Sequence, residues 1–162
     1  MRHLVLAVLL AASMSIAVAA QTTREHGGHG YAFVAPGGAS GGAATLHFGV
    51  GGEALVYKGL GVGGEIGYLG PARSLGEGFG VFSPDVSYHF LNASKSGKVV
   101  PFVTGGYSLL FRSGVANAVN FGGGVNYWFK DRVGLRLEFR DHIPAHSELS
   151  HFYGFRIGLT FR

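Results

Sequence analysis

The residues able to do chemistry in this chain are spaced by twos. From Val133 to His142 the sequence reads V-G-L-R-L-E-F-R-D-H, so Arg136, Glu138, Arg140 and His142 fall at alternating positions. Period two places all four on one face of a β-strand, whereas a helix would scatter them round its axis. Glu53, Glu65, Asp85 and Arg156, with His47 and His89, hold the polar positions of other alternating segments. These four acids and three arginines have two possible uses. They can neutralise one another as a structural network, since charges are costly to bury without partners. Alternatively, Arg136, Glu138, Arg140 and Glu53 could line a narrow ion path or a proton-sensitive gate. The structural network is the simpler reading, because paired charges in a closed interior already satisfy one another.

A second grouping lies near the end of the chain, where Asp141, His142, His146, Ser147, Ser150 and His151 are close in sequence. A rim-located lipid-modifying enzyme could draw a serine, a histidine and an acid from such a set, given convergence in space. No nucleophile elbow surrounds Ser147 or Ser150, so a polar loop is preferred and no catalytic residue is assigned. His26 and His29 lack further ligand residues nearby, and no metal site is assigned to them. No cofactor is expected.

These residues need a scaffold, and composition narrows it. The chain has 162 residues, 29 of them glycine and none cysteine. That length suits one domain with a real core. Glycine at this density disfavours long helices, and without a period of three it excludes collagen. The absence of cysteine excludes disulfides and cysteine zinc sites. The net charge of +4 is scattered along the chain, so no nucleic-acid footprint is read.

Residues 1–20 carry Arg2 and His3, an apolar run over residues 4–12, and small residues at Ala17 and Ala19 that fit an A-x-A cleavage site. This is the pattern of a secretory signal peptide, removed on export. No later stretch reaches the roughly 20 apolar residues of a transmembrane helix. Residues 21–29 read as a flexible polar leader, and residues 30–162 as a single domain.

Within that domain eight segments alternate: residues 30–35, 45–56, 60–69, 79–90, 99–111, 119–129, 133–142 and 151–161. Pro84 falls inside the fourth, where a missing N–H predicts a bulge or a pairing gap. The connections at 57–59, 92–98 and 130–132 read as turns; those at 36–42, 70–78, 112–118 and 143–150 read as longer loops.

An even number of strands of about ten residues, with turns at one end and loops at the other, is the layout of an outer-membrane barrel. The expected fold is therefore all-β, an eight-stranded antiparallel up-and-down transmembrane β-barrel. Its apolar faces point outward. Glu53, Glu65, Asp85, Arg136, Glu138, Arg140 and Arg156 point inward, where glycine leaves them room. Tyr57, Tyr68, Tyr88, Phe90, Tyr127, Phe129, Tyr153 and Phe161 lie near strand ends, as an interfacial girdle requires. A soluble lipocalin-like ligand carrier would reverse the faces. Its exterior would then be rich in glycine rather than in lysine and glutamate, which counts against it.

The segment G-G-G-V-N-Y-W-F-K-D-R-V-G-L-R-L-E-F-R-D-H, residues 122–142, resembles the penultimate hairpin of the small outer-membrane β-barrels of Gram-negative bacteria, in the OmpA/OmpX-like superfamily. P-F-V-T-G-G-Y, residues 101–107, resembles a strand start in that superfamily. The closing F-R-I-G-L-T-F resembles its C-terminal assembly signal, ending on Phe161, although Arg162 follows. The resemblance implies a bacterial outer-membrane location reached through the cleaved signal. It implies contact with outer-membrane lipid, and with the barrel-assembly machinery and periplasmic chaperones during biogenesis. A monomer with a charge-plugged interior and a structural or surface-interaction role is expected. A wide pore is not, because eight strands enclose little more than their own side chains.

Overall fold

The computed structural model describes residues 27–145 and 151–162. The expected signal peptide, His26, His146, Ser147 and Ser150 lie outside the described residues. Eight strands follow one another: β1 (Gly28–Ala39), β2 (Ala44–Tyr57), β3 (Leu60–Pro71), β4 (Phe79–His89), β5 (Val99–Phe111), β6 (Val115–Trp128), β7 (Val133–Pro144) and β8 (Phe152–Phe161). Each pairs antiparallel with its sequence neighbour, and β8 returns to β1 to close the barrel. Closure removes the unpaired edges that an open sheet would expose. This is the all-β, eight-stranded antiparallel barrel that the alternation predicted.

The strands run further than the alternation suggested. β1 starts at Gly28 and continues through Pro36 to Ala39, β6 starts at Val115, and β7 reaches Pro144. Two of the expected loops shrink to residues 40–43 and 112–114, so the contrast between short turns and long loops is weaker than expected. Proline and glycine were read there as loop signals. In the barrel Pro36 pairs with Leu46 of β2, while the ladder to β8 skips from Val34 to Gly37. Pro84 behaves alike. It pairs with Gly64 of β3, and the β4–β5 ladder jumps from Phe82 to Asp85 with its register unchanged. The expected consequence of Pro84 is thus a pairing gap rather than a bulge. A register shift does occur at Val56, between the pairs of Leu55 and Tyr57 with β3. A single 3₁₀ turn, Leu75–Glu77, interrupts the β3–β4 loop.

Alternation settles what each face meets. Val34, Val50, Val62, Ile66, Val86, Val103, Val119, Leu137 and Ile157 point outward and are about half exposed. Aromatic side chains flank this aliphatic belt. Tyr57, Tyr88, Phe90, Tyr127, Phe129 and Phe161 lie toward the end that carries both termini, and Phe48, Tyr68, Phe111 and Tyr153 toward the other. The Tyr68 hydroxyl donates to the Leu75 carbonyl at 2.5 Å, tying the 3₁₀ turn to the wall. Among the outward positions of the described strands the one charged residue is Asp141, near the loop end of β7. An exterior this apolar, around an interior this polar, rules out the soluble carrier arrangement.

Candidate functional site

The lumen is filled from β7. Its inward residues are Arg136, Glu138, Arg140 and His142, each at most 2% exposed. The register gives the two long arginines room. Arg140 stands between Gly122 of β6 and Gly154 of β8, and Arg136 stands beside Gly158. Glycine also makes room for lumen side chains at two positions further round the wall. A Cβ on Gly51 would lie 2.6 Å from the Tyr31 hydroxyl, and one on Gly67 would lie 2.8 Å from His47 Nε2.

All seven charged residues expected inside point into the lumen, and six of them form one tight network. Arg140 is the hub. Its Nε donates to Glu138 Oε1 at 2.5 Å, and its Nη1 donates to Asp85 Oδ2 at 2.7 Å while lying 3.6 Å from Glu65 Oε2. Arg156 grips Glu65 with both Nη atoms, at 2.6 and 2.8 Å. Arg136 Nε donates to Glu138 Oε2 at 2.9 Å. Paired, forked geometry of this kind gives the strongest protein hydrogen bonds and supplies the partners that burial demands. Neutral groups complete the knot. The Asn120 amide donates to Asp85 at 2.9 Å, and Ser108 bridges Ser83 at 2.8 Å and His142 at 3.1 Å.

Glu53 is set apart. Its nearest arginine contact is Arg136 Nη1 at 3.4 Å, longer than the closest arginine contact of the other three acids. Two imidazoles approach it instead, His29 Nε2 at 2.8 Å and His89 Nε2 at 2.9 Å, both toward Oε1. Its Oε2 accepts from the Ser87 hydroxyl.

Sequence reasoning missed three lumen residues, His29, Tyr31 and Phe33. His29 was assigned to a flexible leader, yet it lies on β1 with its side chain 5% exposed. Tyr31, Phe33 and Phe102 point inward beneath arginines. The Arg136 guanidinium sits 3.9 Å from the Phe102 ring centre and 4.4 Å from that of Tyr31; Arg156 sits 4.3 Å from that of Phe33. A stacked guanidinium keeps an attractive partner on a face without hydrogen-bond acceptors. The available signal was parity, because His29, Tyr31 and Phe33 share it.

The two ends of the lumen differ. At the loop end Leu69, Val81, Leu110 and Ala118 form an apolar plug, backed by Phe79, Ala116 and Phe152. At the end that carries the termini, a cavity of about 110 Å³ opens among His29, His89, Asn126, Trp128 and Arg162.

The possible catalytic grouping does not assemble among the described residues. His142 turns into the lumen while Asp141 points outward. His151 Nδ1 lies 3.8 Å from Asp141, beyond hydrogen-bond reach. The string G-A-S-G-G at 38–42 has the letters of a nucleophile elbow, but it closes the β1–β2 hairpin, and Ser40 Oγ accepts the His151 backbone N–H at 3.1 Å. An elbow needs a strand-to-helix turn.

No protein-family model matches the chain, and no curated protein matches it. Solved structures do. The N-terminal β-barrel domain of Pseudomonas aeruginosa OprF superposes with a TM-score of 0.63 at 15% identity, over 86% of this chain and 100% of that one. Neisserial surface protein A gives 0.62 at 16% identity, over 85% and 97%. A de novo designed transmembrane β-barrel gives 0.52 at 14%, over 82% and 93%. The likeness is one of fold, and it is the fold that the resemblance in residues 122–142 implied: that of the small eight-stranded outer-membrane β-barrels.

Proposed function

We propose that this protein is a non-enzymatic, monomeric integral protein of the bacterial outer membrane, acting as a structural scaffold that carries its loops to the cell surface. The observation that carries this reading is the pairing of a continuous apolar exterior with a lumen filled by the Arg136–Glu138–Arg140–Asp85 and Arg156–Glu65 ion pairs. An exterior of that kind is stable against acyl chains, and a lumen so filled conducts poorly. The end with the termini faces the periplasm, in keeping with the usual placement of short turns, and the 3₁₀ turn belongs to the outer side. Outer-membrane lipid is then the permanent partner. Export through a cleaved signal peptide places periplasmic chaperones and the barrel-assembly machinery on the biogenesis route, with the β8 strand ending at Phe161 as the segment that machinery would read.

The test is refolding into detergent followed by planar-bilayer recording. The scaffold reading predicts faster gel migration of the unheated form and a silent bilayer. Regular single-channel steps at low voltage would instead establish the narrow ion path considered from the sequence.

A further inference from the structure

We propose that the periplasmic mouth of the lumen is a binding site for one divalent cation of the zinc class, held by His29, Glu53 and His89. Three observations converge on it. First, the lumen holds four carboxylates and three arginines, and Glu53 is the carboxylate with the longest arginine contact, a single one from Arg136 Nη1 at 3.4 Å. Second, the ligand atoms of His29, Glu53 and His89 all lie within 4.8 Å of one another. Metal bonds of about 2.0–2.1 Å at a tetrahedral angle set donors roughly 3.4 Å apart. The imidazoles, now 2.8 and 2.9 Å from Oε1, need only part by about half an ångström to admit an ion. Third, unsatisfied atoms surround the same spot. His29 Nε2 is buried and, despite its closeness to Glu53, lies off the line of a hydrogen bond; Asn126 Oδ1 is buried without a partner on the same cavity wall.

The chemistry of the set fits. Two histidines and one carboxylate are a standard zinc ligand set that leaves a fourth position open. The 110 Å³ cavity supplies space for a water there, and Asn126 Oδ1 is a suitable acceptor for its proton. The ligands are preorganised. Ser87 donates to Glu53 Oε2, the His89 ring stacks on Phe102 at 5.4 Å, and the His29 ring meets Trp128 edge-on at 5.9 Å. Arg136, whose Nη1 donates to Glu53 Oε1 at 3.4 Å, and Arg162 on the cavity wall both oppose a cation, but Arg136 Nε is committed to Glu138 and Arg162 Nε to the Asp131 carbonyl.

The experiment uses the tag-free chain refolded in detergent and titrated with Co²⁺, then with Zn²⁺. The expected result is one Co²⁺ per barrel, with the intense visible absorption of a four- or five-coordinate ion, displaced by one equivalent of Zn²⁺. His89→Gln and His29→Gln, each confirmed as folded by its heat-dependent gel shift, should weaken binding at least about tenfold. Should both variants fail to fold, X-ray absorption of the zinc-loaded wild type decides, and two imidazole ligands are expected. A folded wild type whose Co²⁺ spectrum stays that of the aqueous ion overturns the proposal. So do folded variants with unchanged affinity, which would place the metal on other histidines, or a different imidazole count. None of these results bears on whether the barrel sits in a membrane.

Discussion

Two parts of one lumen use the same carboxylate chemistry to different ends. Around Arg140, three acids and two further arginines are interlocked, and nearly every polar atom has a close partner. Around Glu53, one acid faces two imidazoles beside an open cavity, with its one guanidinium contact at 3.4 Å. The first arrangement is closed electrostatically and sterically, and its loop-side exit is plugged by Leu69, Val81, Leu110 and Ala118. The second has one long arginine contact and opens at the end that carries the termini. A compensated network holds a barrel together, whereas an under-compensated group at a cavity can take up something from outside. The closed network and the proposed binding site are therefore separated along the barrel axis.

If the knot is dry and compensated, removing its hub must be severe. Arg140→Ala leaves Glu138 and Asp85 without their closest guanidinium, and the expected cost is about 3–5 kcal/mol, read from urea unfolding in detergent. A loss below about 1 kcal/mol would mean that water already reaches the knot.

The next effect tests the wall that isolates the knot. Leu137 lies between Arg136 and Glu138 in sequence but on the outward face. Leu137→Arg moves a charge across the sheet and should cost about 2–4 kcal/mol near the midplane in bilayers. An unchanged folded yield would contradict the assignment of faces.

The smallest effect belongs to the open end. Glu53→Gln keeps the side chain's shape and an acceptor for Ser87, and removes the charge that no arginine matches closely. With a chelator present, the expected loss is roughly 1 kcal/mol. A loss as large as that of Arg140→Ala would show that the two ends are one network.

The fold was legible because a membrane barrel repeats one simple rule, and Leu135, Arg136, Leu137, Glu138 obey it without exception. The seven lumen charges followed from the same parity. The errors arose where composition spoke against parity. Gly28 and His29 looked like leader, and Pro36 and Pro144 looked like loop, because glycine and proline usually break strands. In a barrel, proline needs only one ladder free of its missing N–H, and Pro36 has that on its β8 side. The Glu53 cluster was illegible for another reason. His29, Glu53 and His89 come from three strands, and their convergence depends on register and barrel closure, which no local pattern records.

The orientation of the wall is open to direct measurement, because the chain contains no cysteine. Single cysteines at residues 134–140 of β7, spin-labelled in liposomes, report oxygen and aqueous relaxation agent at each position. High oxygen accessibility is expected at 135, 137 and 139, and restricted, shielded labels or failed labelling at 136, 138 and 140. Aqueous agent reaching 135, 137 and 139 would contradict that orientation.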